Sequence, residues 1–189
     1  MKNLILAFVA VAIFGLDFAY AQTTVGDVQF PTTFKAGDAT LQLNGGGIRK
    51  KLFLDVYVEG LYLQARSKDG NAIAKANEAQ NVRIVITSSL VNSNNFIEST
   101  KEGFQKSTAG NTKPIQEKID KFLKLFLKYA IAKGDVYDLT FLPMEGVKVY
   151  RNHQYVDVIP GLDFKTALYG IWLGSNPVDA KLKAGLLGQ

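Results

Sequence analysis

Cysteine is absent from this chain, and histidine occurs once, at position 153. Without cysteine the protein can form no disulfide bond, no thiolate nucleophile and no cysteine-ligated metal site. One histidine also cannot supply the several imidazole ligands of a multi-histidine metal centre. It lies between two predicted strands, where an exposed turn residue is a better interpretation than a general base. We therefore expect no metal and no other cofactor, and a core that is stable without cross-links.

Long apolar runs are scarce too, and the longest one lies at the N terminus. It covers residues 4–14, follows Lys2 and precedes the sequence Ala19-Tyr20-Ala21. A positive start, a short apolar core and small residues before the cleavage site are typical of a secretory signal peptide. The run is too short to span a bilayer comfortably. We expect cleavage after Ala21, one domain over residues 22–189 and a periplasmic or secreted protein, with an uncleaved membrane anchor as the alternative.

Clusters of basic residues are also lacking, although the net charge is +5. A positive charge favours anionic ligands or anionic surfaces. The lysines are dispersed, however, as in proteins whose lysines only solvate the surface. No basic cluster alternates with exposed aromatic residues in the manner of nucleic-acid-binding grooves. We therefore expect no nucleic-acid partner.

Residue patterns predict the order strands, helices, strands, helices. Alternating or β-branched residues predict an edge strand anchored by Phe30 and Phe34, followed by strands over residues 39–43, 50–66, 81–88, 136–142, 147–150 and 155–159. Helical spacing and capping residues predict helices over residues 72–79, 93–109, 113–133, 162–173 and 178–187. The hairpin-type spacing of the strands indicates an α+β protein, with a mainly antiparallel sheet covered on one face by helices.

The most unusual segment is residues 44–66, in which three consecutive glycines at positions 45–47 are followed by Ile48 and Arg49. Glycines permit a turn, or a close approach of the backbone to another group. Read as one strand, residues 50–66 alternate an apolar face with a face that mixes charges and two aromatic rings, Phe53 and Tyr57. The second face is therefore the candidate for function.

Arg49 has two interpretations from the residues alone. Its planar guanidinium suits bidentate binding of a carboxylate or a phenolate. It would be explained equally well by an internal pair with Asp55, Glu59 or a helix terminus. Both interpretations stay open at this point.

Four motifs in order resemble the chalcone isomerase superfamily, and in particular its exported bacterial chalcone isomerase-like branch. They are GIRKK with VYVEGLYL at residues 47–63, KGD at residues 133–135, FKTALYGIWLG at residues 164–174 and NPVDAKLKAGLLG at residues 176–188. The resemblance covers roughly residues 39–188. It implies an open-faced β-sandwich of the chalcone isomerase type, with a ligand cleft between the sheet and a helical layer.

The resemblance also implies a site. Arg49 matches the anion-binding arginine of the superfamily, and Tyr57 matches a tyrosine that joins it in the fatty-acid-binding members. The positions where the isomerases carry a tyrosine and an asparagine hold Phe96 and Gly103 here. The position of their threonine holds Tyr57, and their hydroxyl-bearing residue on the last helix falls near Asp179. Of the isomerase catalytic set only the arginine remains.

The resemblance therefore implies a non-catalytic, monomeric protein that binds a fatty acid or a similar amphipathic carboxylate. Arg49 and Tyr57 would hold the head group, and the candidates for the apolar lining are Phe53, Phe96, Phe104 and Trp172. One alternative is an isomerase or lyase acting on a chalcone-like phenolic enone, with Arg49 as its electrostatic group. Another is an envelope interaction module whose cleft is filled by side chains.

A shared head-group site requires Arg49 and Tyr57 to lie close together. Eight residues of straight strand at about 3.3 Å each would separate them by roughly 26 Å. The pairing therefore requires a tight reversal near residues 50–52, although no glycine or proline signals a turn there.

Overall fold

The computed structural model describes residues 21–189. Residues 1–20 of the predicted signal peptide lie outside the described residues. In the described part, no helix is long and apolar enough to cross a membrane.

In residues 21–189, nine strands form two antiparallel sheets. A small sheet pairs β1 Gln22–Val25 with β2 Val28–Pro31. The main sheet has seven strands in the order of the sequence: β3 Thr33–Ala36, β4 Ala39–Lys51, β5 Leu54–Leu63, β6 Gln80–Ile86, β7 Val136–Leu142, β8 Gly146–Arg151 and β9 Gln154–Ile159. Every neighbouring pair is antiparallel, so the sheet is a curled meander.

The described part of the chain also has five α-helices, which interrupt or follow the sheet. They are α1 Gly70–Lys75, α2 Ser93–Ser107, α3 Gln116–Leu125, α4 Leu162–Leu173 and α5 Ala180–Leu186, with a short 3₁₀ helix over Lys113–Ile115. The α2, α3 and α4 helices cover one face of the sheet, where Phe104, Phe122 and Phe164 pack with ring centroids 5.5–6.3 Å apart. The other face packs on Phe30 of β2 in a second, smaller core. The predicted α+β class is confirmed.

The three glycines serve close packing on both sides of β4. A Cβ at Gly45 would collide with the carbonyl oxygen of Gly185 in α5, and a Cβ at Gly47 would lie 3.1 Å from the carbonyl oxygen of Leu182. On the opposite face, a Cβ at Gly46 would lie 2.7 Å from a methyl group of Val25. The helix α5 can therefore lie directly on the backbone of β4, which brings its N terminus close to Arg49.

The prediction of one strand over residues 50–66 is wrong. The chain reverses at Leu52 and Phe53, which both have positive φ, at 49° and 71°. Two-residue hairpin turns of this kind ordinarily carry Asn-Gly or a similar pair. Because neither residue is a turn former, the sequence contains no local signal for the reversal. Because the chain reverses there, the predicted alternation of faces does not hold for residues 50–53.

The helix α3 also ends earlier than predicted, at Leu125 instead of just before Gly134. Backbone groups beyond it are bound by side chains: Arg151 donates to the carbonyl oxygen of Ala130, and Asp135 accepts from the N–H of Ala132. These contacts replace the helical hydrogen bonds. The predicted bounds of β7 and α4, by contrast, agree with the structure at both ends.

Candidate functional site

An apolar cavity of about 240 Å³ lies between the main sheet and the helices α2, α3 and α4. Its walls are mostly aliphatic and aromatic side chains, including Val56, Ile84, Phe96, Leu139, Leu168 and Ile171. Arg49, Tyr57 and Trp172 add polar groups to this lining, as do Lys51, Asn95, Ser99 and Thr100. A mostly apolar pocket with a few converging polar groups is the usual form of a small-molecule site.

Arg49 and Tyr57 face each other across the β4–β5 hairpin. They are direct Cα partners in the register of the two strands, so their side chains lie next to each other. The reversal at Leu52 and Phe53 shortens the path that a straight strand would have imposed. The required proximity is therefore met by the structure.

Arg49 is oriented by Asp179, the residue that caps α5. The Nη1 atom of Arg49 donates to Oδ2 of Asp179 at 3.3 Å, and Asp179 also accepts from the backbone N–H groups of Lys50, Lys181 and Leu182. Burial alone would raise the pKa of Asp179, but these hydrogen bonds and the charge of Arg49 hold it below its usual value. The carboxylate therefore stays ionised and fixes the guanidinium.

Part of the Arg49 guanidinium remains available to a ligand. Its Nη1 atom is used by Asp179 and by the carbonyl oxygen of Lys50. The Nε and Nη2 donors make no hydrogen bond to any described residue, and the side chain is 20% exposed. The structure thus shows the internal pair, with the residue that caps α5. Binding of an anion by the remaining donors of Arg49 stays a prediction.

Tyr57 is held by Trp172. The indole Nε1 of Trp172 donates to the Tyr57 hydroxyl at 2.9 Å, and an indole nitrogen can only donate. The hydroxyl proton of Tyr57 is donated to no atom of the described residues. Burial raises the pKa of Tyr57, so the group stays protonated. It is therefore a neutral hydrogen-bond donor beside Arg49.

Glu59 lies two residues beyond Tyr57 on the same face of β5 and is completely buried. Neither of its carboxyl oxygens has a hydrogen-bond partner in the described part of the chain. Burial raises the pKa of Glu59 well above its ordinary value, opposed only by the charge of Arg49. A buried carboxyl without partners is most stable as the neutral acid. Glu59 therefore adds no negative charge behind the site at neutral pH.

Glu59→Gln is expected to change how stability depends on pH. In wild type the folded state keeps a proton that the unfolded state loses above pH 4.5, so stability falls as pH rises above that point, by up to about 1.4 kcal/mol per pH unit. Glutamine removes this dependence, so the variant should match wild type near pH 4 and exceed it at pH 8. Urea unfolding at both pH values measures the difference. The exposed Glu98→Gln is the control, and parallel profiles for wild type and Glu59→Gln would contradict the interpretation.

Comparison with known proteins identifies the family. A sequence profile described as chalcone isomerase-like matches residues 22–188. The chain belongs to the chalcone isomerase-like family. No curated protein matches it in sequence.

Solved structures share the fold of this chalcone isomerase-like protein, with 36 chains that match. One is the crystal structure of a fatty-acid binding protein from Arabidopsis thaliana, with a TM-score of 0.67 and 22% sequence identity. The match covers 85% of this chain and 92% of that one. At this identity the similarity establishes the common fold.

The structure brings together four of the six residues that the sequence placed in the site. Arg49, Tyr57, Phe96 and Trp172 all line the cavity. Phe53 does not, because it forms the hairpin tip and is 99% exposed.

Phe104 also lies outside the cavity lining. It is two turns beyond Phe96 along α2, or about 12 Å, and is buried against Phe122 and Phe164 in the core. The sequence missed the roles of Asp179 and Glu59, because both depend on which strands and helices become neighbours.

The isomerase alternative finds no support at the two positions that would carry proton transfer. Phe96 has no ionisable group, and a Cβ at Gly103 would lie 2.7 Å from a methyl group of Ile171. An asparagine at position 103 therefore has no room in this packing. The described residues also contain no group of three or more His, Cys, Asp or Glu side chains that could hold a metal ion.

Proposed function

We propose that this protein binds a carboxylate with an apolar chain, such as a fatty acid, and does not convert it chemically. The observation that carries the proposal is the pair of facing residues in the lining of the apolar cavity. Arg49 and Tyr57 both keep hydrogen-bond donors that no described residue accepts. The structurally similar Arabidopsis protein is a fatty-acid binding protein, which supports the same ligand class.

The charges around the cavity suit a single carboxylate. Asp179 balances the charge of Arg49 but contacts only its Nη1 atom, and three backbone N–H groups also hold the Asp179 carboxylate. Lys51 also lines the cavity and adds a second positive charge. A ligand carboxylate would accept from Nε or Nη2 of Arg49 and from the Tyr57 hydroxyl, and charge-assisted hydrogen bonds of this kind are the stronger ones.

The size of the cavity predicts which chain lengths fit. An apolar cavity of ~150 Å³ holds one benzene, which has six heavy atoms. By the same ratio the cavity of about 240 Å³ holds roughly ten heavy atoms. A carboxylate of about eight carbons would therefore fit inside, and the methylenes of longer chains would remain at the mouth.

Titration of straight-chain carboxylates by calorimetry tests the proposal. We expect the affinity to rise about fourfold per methylene, from ~0.8 kcal/mol of transfer free energy each, up to about eight to ten carbons and then to level off. The methyl ester of octanoate is the matched control and should bind at least tenfold more weakly, because it lacks the charge. Equal affinities for acid and ester, or no binding at any length, would contradict the proposal.

We also propose that the protein acts in the periplasm or outside the cell, after cleavage following Ala21. The support is the sequence pattern of residues 1–21. The intact mass of the protein recovered from the periplasmic fraction of an expressing bacterium tests this, since the mature chain should begin at Gln22.

A further inference from the structure

One end of the main sheet combines exposed apolar side chains with basic ones. The antiparallel order brings four chain segments together there: residues 50–55, 87–92, 126–135 and 150–155. We name these four segments the hairpin end. It carries the exposed side chains Leu52, Phe53, Leu90, Leu127 and Tyr129.

The apolar tip of this end is not required by the turn itself. Leu52 and Phe53 both have positive φ, which disfavours side chains of their type. The turn between β8 and β9 has two similar positive φ values, at 49° and 67°, and carries the polar pair Asn152 and His153. The same backbone conformation is thus formed by polar residues nearby, so the leucine and the phenylalanine need another explanation.

The exposed apolar surface is continuous with the cavity. Leu52, Leu54 and Leu90 are exposed to solvent and also line the cavity. The cavity mouth therefore lies at the hairpin end, between the β4–β5 turn and the segment that follows β6.

Charge at the hairpin end is complementary to an anionic surface. Its four segments contain five basic and two acidic side chains. The acidic ones, Asp55 and Asp135, are paired with Lys50 and Arg151. The three remaining basic residues, Lys51, Lys128 and Lys133, are exposed. Apolar residues at a tip with lysines behind them are typical of segments that enter the interface of an anionic bilayer.

We propose that the hairpin end docks on an anionic lipid bilayer, with Leu52 and Phe53 inserted at the interface and the lysines at the head groups. Docking does not depend on what the cavity binds. If the proposed function holds, it also lets an amphipathic carboxylate pass between bilayer and cavity at the mouth, with little exposure of its chain to water.

Flotation with lipid vesicles tests the docking. Wild type should bind vesicles that contain phosphatidylglycerol at least tenfold more than vesicles of phosphatidylcholine alone, and added salt should weaken the binding. The double variant Leu52→Asn with Phe53→Gly should bind at least tenfold less. It should also fold, because Asn-Gly is a favoured pair for this turn.

Met144→Gly is the matched control. Met144 is also fully exposed at a positive φ, but it lies in the β7–β8 turn at the opposite end of the sheet. Its removal should leave vesicle binding unchanged. The single variant Phe53→Gly distinguishes the two proposals, because Phe53 is exposed and lies outside the cavity lining. Its vesicle binding should fall while its octanoate affinity stays that of wild type.

Absence of binding to anionic vesicles would overturn the docking proposal, and so would equal binding by wild type and the double variant. The oligomeric state explains one such outcome: neither protein binds vesicles, wild type is a dimer and the double variant is a monomer. In that case the hairpin end would join two copies of this chain.

Discussion

Arg49→Gln is expected to lower the affinity for octanoate roughly 10- to 100-fold while the protein stays folded. The variant removes the charge-assisted hydrogen bonds to the carboxylate, which contribute about 1.5–3 kcal/mol. Asp179 keeps its three backbone N–H partners, so the loss of Arg49 does not leave a buried carboxylate unpaired. Calorimetric titration measures the affinity, and circular dichroism verifies the fold.

Two further variants separate the head-group contact from general charge effects. Lys50→Gln removes the same unit of charge one residue away, on a side chain that is exposed and paired with Asp55, and should leave the affinity within about threefold of wild type. Arg49→Lys keeps the charge but loses the planar guanidinium. Its octanoate affinity should lie between those of Arg49→Gln and Lys50→Gln. An Arg49→Gln protein that binds as tightly as wild type would show that the carboxylate lies elsewhere.

Gly45→Ala is expected to destabilise the protein by about 3 kcal/mol, the upper part of the range for overpacked cores. The added methyl group meets the backbone of Gly185 and Leu186 in α5 and of Gly188 just beyond it, and backbone cannot rotate away as a side chain does. The helix must therefore move, and Asp179 at its N terminus moves with it. Urea unfolding measures the loss of stability, and the affinity for octanoate should fall in parallel.

The control for this variant is Gly170→Ala in α4. There the new Cβ would meet only the Ser107 side chain, at 3.1 Å, and alanine favours the helix by about 1 kcal/mol over glycine. We expect its stability to stay within about 1 kcal/mol of wild type. If Gly45→Ala were as stable as wild type, the glycines would not be needed for the close packing of α5 on β4.

Local patterns in the sequence predicted much of the fold. The helical spacing of apolar residues in the segment that became α3 and the β-branched run that became β6 each predicted the element type, and the hairpin-type spacing of the strands predicted the antiparallel sheet. Such patterns arise because one face of an element is buried, so they can be read from the residues of that element alone. The β4–β5 turn could not be predicted in this way, because Leu52 and Phe53 are not turn-forming residues.

The candidate site was predictable only in part, for the same reason. Arg49 and Tyr57 were found through the family resemblance, and the structure brings them together. Asp179 orients Arg49 only because the glycines admit α5 onto β4. Phe104 was misplaced because an aromatic residue at helical spacing is apolar whether it faces a cavity or the core. Contacts between distant segments decide these cases, and a single sequence does not contain them.

The central claim is that a ligand carboxylate lies between the Arg49 guanidinium and the Tyr57 hydroxyl. Carbon-13 NMR of octanoate labelled at its carboxyl carbon tests it most directly. We predict a bound resonance that shows an ionised carboxylate down to about pH 4, because a neighbouring arginine lowers a carboxyl pKa, and that shifts in both Arg49→Gln and Tyr57→Phe. A bound resonance that titrates like free octanoate and is unaffected by either substitution would contradict the account.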